Sequence, residues 1–336
     1  MQVNNKSFLR SFLFIAMLAL VLVAAGCASN TNQETPANSE EPAPTEEAQQ
    51  EATEDAEYTV THAMGETTIK GTPQRVVILT NEGTEALLEL GVTPVGAVNS
   101  GVGDTWYPHI LDKMSGVAEL GDERQPNMEL IASLEPDLII GNKVRQEEIY
   151  TQLSNIAPTV FSEDLAGQWK ENFTLYAEAL NKQEEGKQAL ERYQQHVDHA
   201  KSELGDKLST KVSVVRFLPT NVRIYLKDTF SGTVLSDLGF ARPESQDIDE
   251  FIAVITKEQM ADMDGDIMFF FNADYDEEKG GTKMQEEWMN DPLYQNLQVA
   301  KNKKAFQVDE VIWNLSGGII SATKLVDELL SYAKEM

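Results

Sequence analysis

Gln183-Glu184-Glu185-Gly186-Lys187-Gln188-Ala189-Leu190-Glu191-Arg192-Tyr193-Gln194-Gln195-His196-Val197-Asp198-His199-Ala200-Lys201-Ser202-Glu203-Leu204 is the stretch around which the rest of the chain is arranged. Ala189, Leu190, Tyr193, Val197 and Ala200 recur at three- and four-residue spacing, with Gln, Glu, Lys and His on the opposite face. That period is helical, and the apolar stripe predicts one buried side. The helical region begins near Trp169 and runs to Leu208 without a proline, with Gly186 its one glycine before Gly205. Its uninterrupted part, Gln183 to Leu204, would span roughly 33 Å at the helical rise. On both sides short apolar runs alternate with turns and helices. The chain therefore reads as two α/β lobes joined by one stiff helical connector.

The 336 residues are too many for one core of average size and comfortable for two. The N-terminus belongs to neither. Lys6 and Arg10 precede an apolar run from Phe12 to Ala25, then Gly26 and Cys27, the only cysteine. This is the order of a charged n-region, a short h-region and a small-residue cleavage site, and the run is shorter than a spanning helix needs. From Ala28 to Glu57 follow nine carboxylates and no basic residue among Ala, Thr, Pro, Gln and Asn. Such a segment buries no core and is expected to be a disordered spacer. The net charge of −28 makes nucleic acid a poor partner. The expected divisions are 1–26, 27–57, a lobe over 58–168, the helical region 169–208 and a lobe over 209–336.

In the first lobe, Tyr58 to Ile69 alternates around Gly65 as a hairpin. Arg75-Val76-Val77-Ile78-Leu79 reads as a buried strand, followed by a helix from Thr84 to Leu90 closed by Gly91, then a strand at Val95-Gly96-Ala97-Val98. Val117 to Leu120 is extended, Pro126-Asn127 opens a helix from Met128 to Leu134, and Pro136 precedes the strand Asp137-Leu138-Ile139-Ile140-Gly141. Gln146 to Leu153 is expected as one helix and Thr159-Val160-Phe161 as a strand. Strands separated by helices imply a parallel, buried sheet, so the fold class is α/β with two Rossmann-like lobes on parallel central sheets.

Several of these segments carry a resemblance. Thr72-Pro73-Gln74-Arg75-Val76-Val77, Glu85 to Val92, Pro126-Asn127-Met128-Glu129 and Leu134 to Gly141 look like the N-lobe of ABC-importer substrate-binding proteins for ferric siderophores and cobalamin. Val212 to Phe217, Val234 to Phe240, Thr256 to Met260, Asp266 to Phe269, Asp291-Pro292-Leu293-Tyr294 and Val308-Asp309 resemble the C-lobe in the same order, so the likeness covers Tyr58 to Met336. Arg223-Ile224-Tyr225 and Arg242-Pro243 look most like the binding proteins for citrate-hydroxamate and related carboxylate siderophores. Val23-Ala24-Ala25-Gly26-Cys27 resembles the bacterial lipobox, with Ala24 where leucine is commoner, which implies a lipidated Cys27. Acyl chains there would tether the protein to the outer face of the cytoplasmic membrane, as on a Gram-positive surface.

The residues support an anionic ligand independently. After Cys27 the arginines are Arg75, Arg124, Arg145, Arg192, Arg216, Arg223 and Arg242, and all but Arg75 and Arg192 fall just after a predicted strand or in the loop it feeds. Ligands of doubly wound sheets lie outside the carboxyl ends of strands. A guanidinium holds a carboxylate with two parallel hydrogen bonds, as lysine does not. An exposed arginine is also often a solvated surface charge. The candidate contacts are Arg145, Arg124 and Trp106 in the N-lobe, and Arg216, Arg223, Tyr225 and Arg242 in the C-lobe, with Phe230 and Trp313 as further apolar walls. Trp169 and Trp288 read as core. Iron would arrive inside the siderophore, so neither a resident cofactor nor a protein metal site is expected, and no catalysis.

The resemblance also implies permease docking by Glu129 and Glu258, which open matching helices in the two lobes. An acid in a first helical turn is equally explained by the helix dipole, at about 0.3–1 kcal/mol. The implied partners are a ferric siderophore, an ABC permease dimer with its ATPase, and the membrane, with the binding protein a monomer. Cobalamin or haem in the same cleft is the alternative; the arginines argue against neutral cobalamin, and haem lacks a placed axial pair. A surface-anchored hydrolase would need an activated nucleophile that the sequence does not offer. Asp262-Met263-Asp264-Gly265-Asp266 reads as a turn rather than a calcium loop, His196 and His199 as a solvated helix face, and Ser316 as the cap of the final helix.

Overall fold

The computed structural model describes residues 56–275 and 277–336. The expected signal segment, Cys27 and the expected spacer up to residue 55 lie outside the described residues. The lobes begin with an antiparallel hairpin, β1 (Glu57–His62) and β2 (Gly65–Lys70), whose alternation turns Val60 and Ile69 inward. Then β3 (Val76–Ile78), α1 (Asn81–Glu89), β4 (Gly96–Ala97), β5 (Ala118–Glu119), the small ribbon β6 (Gly121–Asp122) and β7 (Gln125–Pro126), α2 (Met128–Ser133) and β8 (Leu138–Asn142) follow. After α3 (Lys143–Gln146), α4 (Tyr150–Ser154) and β9 (Thr159–Ser162), the N-lobe sheet is complete in the order β5-β4-β3-β8-β9, with every pairing parallel. Helices cover both faces, which is why Val76 to Ile78 and Leu138 to Ile140 are apolar without alternation.

Local chemistry explains the boundaries. Thr80 caps α1 by accepting a hydrogen bond from the Gly83 amide, and Gly91, at φ 74°, ends it in the left-handed conformation that glycine adopts freely. Asn127 caps α2 through the Leu130 amide. The helix expected over Gln146 to Leu153 is instead broken into α3, a 3₁₀ turn at Glu147–Ile149 and α4. Gln146 is the cause: its side chain bonds the Leu79 and Glu123 carbonyls and the Asn142 amide, which fixes the chain where a continuous helix would carry it away.

The connector is two helices rather than one rod. α5 (Trp169–Ala179) ends at a turn in which Asn181 takes φ 55°, and α6 (Gln183–Leu204) follows. Asparagine tolerates that conformation better than most side chains. The stripe of α6 is buried as expected, through Ala189, Tyr193, Val197, Ala200 and Leu204.

The C-lobe contains β10 (Val212–Phe217), β11 (Val222–Tyr225), α7 (Phe230–Leu238), β12 (Ile252–Ile255), β13 (Ile267–Asn272), α8 (Gly280–Met289), α9 (Gln298–Lys301), β14 (Ala305–Gln307) and α10 (Ile319–Ser331). Its sheet runs β12-β11-β10-β13-β14. The β10, β13 and β14 core is parallel, while β11 and β12 extend it antiparallel, because β10 turns directly into β11 without a helix. Lys257–Met263 is a 3₁₀ helix and Val311–Leu315 a π-helical turn. Ser316 closes that turn by donating to the Val311 carbonyl and does not cap the final helix; Ser321 Oγ accepts from the Gly318 amide there. One continuous apolar core runs from Val76 and Leu138 through α5, α6 and α10 to Val214 and Phe269, so both sheets share a helical seam.

Candidate ligand-binding site

The N-lobe contributes the carboxyl end of every strand of its sheet. Asn81 follows β3, Asn99 follows β4, the β6–β7 ribbon with Glu123 and Arg124 follows β5, Arg145 follows β8, and Leu165 and Ala166 follow β9. These face the C-lobe across a cavity of about 460 Å³. Glu123 organises this wall. Its Oε1 accepts from the amide and the side-chain nitrogen of Asn81 at 2.8 and 3.0 Å, and its Oε2 accepts from Arg145 Nε at 3.3 Å. Gln146 holds the ribbon to β3 through the bonds described above, so Arg145 and Glu123 are fixed relative to one another.

The C-lobe wall is the antiparallel pair β10–β11. Arg216 and Arg223 are directly opposite in its register, two cations on one face of a sheet. Like charges so placed are destabilising without a counter-charge. Glu310 provides one for Arg216, at 2.6 Å, and Tyr275 also bonds that guanidinium. Burial works against the Arg216 cation, but Tyr225, Glu310 and Tyr275 outweigh it, and its pKa lies above the ordinary guanidinium range. Tyr225, two residues beyond Arg223 and so on the same face, donates to Asn314 Oδ1 at 3.1 Å. Arg223 Nε donates to Asn221 Oδ1 at 3.1 Å. Among the described residues, Arg124 and Arg223 form no ion pair, so one uncompensated guanidinium lies in each wall.

Glu82 completes the N-lobe side. It is buried in the first turn of α1, its Oε1 accepts from Asn172 Nδ2 at 2.8 Å, and its Oε2 has no hydrogen-bond partner among the described residues. Burial pushes its carboxyl up to about 8, so at neutral pH it adds little negative charge to a site rich in arginine.

Arg124, Arg145, Arg216, Arg223 and Tyr225 are thus brought to one cavity. Four expected wall or contact residues are not. Trp106 packs into the core, and its neighbour Tyr107 lines the cavity instead, donating to the Ser100 carbonyl at 3.0 Å. Arg242 is 8% exposed and bonds the Val212 and Tyr225 carbonyls and Gln246 Oε1 at 2.6–2.8 Å, pinning the chain after α7 to the sheet. Burial lowers its pKa to about 10. Trp313 is fully buried, its ring 4.8 Å from that of Phe269 and its Nε1 donating to Glu328 Oε2 at 2.5 Å; Phe230 is likewise core. Trp169 and Trp288 are core as expected.

Sequence reasoning missed Asn81, Glu82, Glu123 and Asn314, which prepare the site but carry no motif. Glu129 and Glu258 are exposed at their helix starts, one on each lobe. Asp264 caps α9 through the Gln298 and Val299 amides, as befits a turn. His196 bonds Asp327 and His199 bonds Glu203, and among the described residues no group of three or more His, Cys, Asp or Glu side chains is placed to hold a metal.

The chain is 46% identical over 330 residues to the probable siderophore-binding lipoprotein YfiY of Bacillus subtilis, covering 96% of this chain and 97% of that one. It is 29% identical over 318 residues to the Fe(3+)-citrate-binding protein YfmC of the same organism, covering 94% of each. Among solved structures, that of Staphylococcus aureus SirA complexed with staphyloferrin B superposes with a TM-score of 0.76 at 35% identity, over 83% of this chain and 98% of that one. The sequence pattern of the periplasmic binding proteins matches residues 76–311, and with two lobes and a ligand-sized cavity between them the chain belongs to the periplasmic binding protein family.

Proposed function

We propose that this protein is the substrate-binding lipoprotein of an ABC importer and captures a ferric siderophore of the citrate-hydroxamate or carboxylate type. The observation that carries this reading is the pair of arginines, Arg124 and Arg223, that form no ion pair among the described residues and stand on facing walls of one cavity. A ligand with anionic oxygens on two sides satisfies both. The names of the relatives, siderophore-binding and Fe(3+)-citrate-binding, point the same way. They favour neither cobalamin or haem nor a hydrolase. Iron is cargo here, held by siderophore oxygens.

The rest of the assembly follows from this reading. Lipidation at Cys27 would tether the protein to the outer face of the cytoplasmic membrane, in keeping with the lipoprotein relative. No described helix is long and apolar enough to cross a membrane. Glu129 and Glu258 would present one carboxylate from each lobe to the two subunits of a permease dimer driven by its ATPase, with the binding protein acting as a monomer.

The test is a fluorescence titration with ferric and iron-free siderophores. A ferric carboxylate-type complex is expected to bind with submicromolar Kd. Arg223→Ala should weaken it about tenfold to a hundredfold, the worth of a charge-assisted contact. Equal binding of the iron-free ligand, or no response to Arg223→Ala, would refute the assignment.

A further inference from the structure

One oxygen in the wall of the cavity has no use within the protein. Glu82 lines the cavity from the first turn of α1 and is 6% exposed, and its Oε2 forms no hydrogen bond among the described residues. A buried polar atom of that kind is uncommon and calls for a reason. The other oxygen is held firmly. Asn172 Nδ2 donates to Glu82 Oε1 at 2.8 Å and to the Asp164 carbonyl at 2.7 Å, which ties the carboxyl group to α5 and to the loop after β9.

No cation stands against Glu82. The groups around it are the Glu85 carboxylate one turn along α1, the Glu123 carboxylate on the β6–β7 ribbon, Tyr176 on α5 and the Ala166 amide. Among the described residues Glu82 is in no ion pair, whereas Glu123 has Arg145 and Glu85 has His109. The start of a helix favours an anion, as do Asn172 and the Ala166 amide. Burial and the two neighbouring carboxylates oppose it and prevail. A neutral carboxyl has one O–H to donate, where a carboxylate can only accept.

We infer that Glu82 is a ligand contact of a different kind from the arginines: its Oε2 hydroxyl donates a hydrogen bond to an anionic oxygen of the bound chelate, and tight capture requires that proton. This rests on the ferric-siderophore reading and deepens it. The arginines attract an anion at any pH, but the acid is a donor in one protonation state only. Affinity is therefore level below the range in which Glu82 ionises and falls above it, where one anion faces another. The nearby phenols do not supply that transition, because burial holds Tyr107, Tyr176 and Tyr225 above the ordinary tyrosine range.

The test is a binding titration of the purified chain, from pH 6.5 to pH 9, with a hexadentate ferric citrate-dihydroxamate chelate. Wild-type affinity is expected to be level to about pH 7 and to fall about tenfold by pH 9. Glu82→Gln keeps the acceptor for Asn172 and offers an N–H in place of the O–H, so its affinity should vary by less than about twofold over the same range. Glu82→Leu has no donor and should bind about tenfold more weakly than wild type at pH 6.5. Circular dichroism identifies a leucine variant that does not fold, in which case the glutamine profile decides alone. A level wild-type profile, a parallel fall in Glu82→Gln, or a folded Glu82→Leu that matches wild type overturns the Glu82 contact and leaves the ferric-chelate reading in place. Failure of the wild type to bind at every pH overturns both.

Discussion

At the scale of single residues, the site depends on carboxyls whose charge the surroundings decide. Glu82 is protonated in folded and unfolded chains alike at low pH. Between the ordinary carboxyl range and about 8, the folded chain keeps a proton that the unfolded chain has released, so stability falls as pH rises through that window. Glu82→Gln keeps the shape and the acceptor for Asn172 but has no proton to lose. Chemical denaturation of both proteins from pH 5 to pH 8 should therefore show Glu82→Gln gaining on the wild type, by at most about 1.4 kcal/mol per pH unit. A constant difference would mean that Glu82 is ionised in the fold. This residue was illegible in the sequence, since an acid in a first helical turn is ordinary, and only its burial in the folded protein, with the Glu123 and Glu85 carboxylates nearby and despite the hydrogen bond from Asn172, makes it unusual. Arg145, Arg216 and Arg223 were legible because scarce arginines at strand ends have few bland explanations. Arg242 met the same criterion, and it is a structural residue because the chain after α7 folds back over the sheet; spacing does not tell which side of a sheet a loop residue faces.

At the scale of elements, the N-lobe sheet was readable almost strand by strand, because strands buried on both faces appear as unbroken apolar runs between turn residues. The C-lobe was less so. Val212 to Phe217 and Val222 to Tyr225 look alike in sequence, and nothing in either run declares that the second reverses direction; the four residues between them, too few for a crossover helix, were the available signal. That reversal places Arg216 beside Arg223, so the antiparallel extension of the sheet creates the cationic wall. The seam between α5 and α6 offers a sharper test. A glycine inside a helix normally costs about 1 kcal/mol relative to alanine, and Gly186→Ala would be stabilising on propensity alone. Here an added Cβ would lie 2.5 Å from the Ala177 Cβ. Overpacking of that kind costs about 1–3 kcal/mol, so Gly186→Ala should lower the denaturation midpoint. A raised midpoint would show that α5 and α6 separate without cost.

For the molecule as a whole, the question is how far the lobes move when the cleft fills. A stiff helical connector by itself argues for small closure, and the fold adds ties across the seam. Lys170 and Tyr193, on α5 and α6, both bond Asp237 on α7. Glu85 on α1 accepts from the amide and hydroxyl of Ser321 on α10 at 2.8 and 3.0 Å, and from His109 at 2.5 Å. The Glu85 tie hangs directly beneath the cavity, because Asn81 and Glu82 begin α1, and Ser316 and Gly317 precede α10. Hinged proteins close over their ligands through a few flexible residues; here the elements that carry the cavity-lining residues are locked together one turn below them. Spin labels at Glu129→Cys and Glu258→Cys, one on each lobe in a Cys27→Ser chain, report the distance directly. Addition of the ferric complex should shift the mean distance by less than about 2 Å in the wild-type frame. Glu85→Ala, which releases Ser321 and His109 together, should broaden the unliganded distribution and enlarge the shift. A large closure with Glu85 intact would mean that the shared core slides, and that the seam of α5, α6 and α10 is a bearing and not a brace.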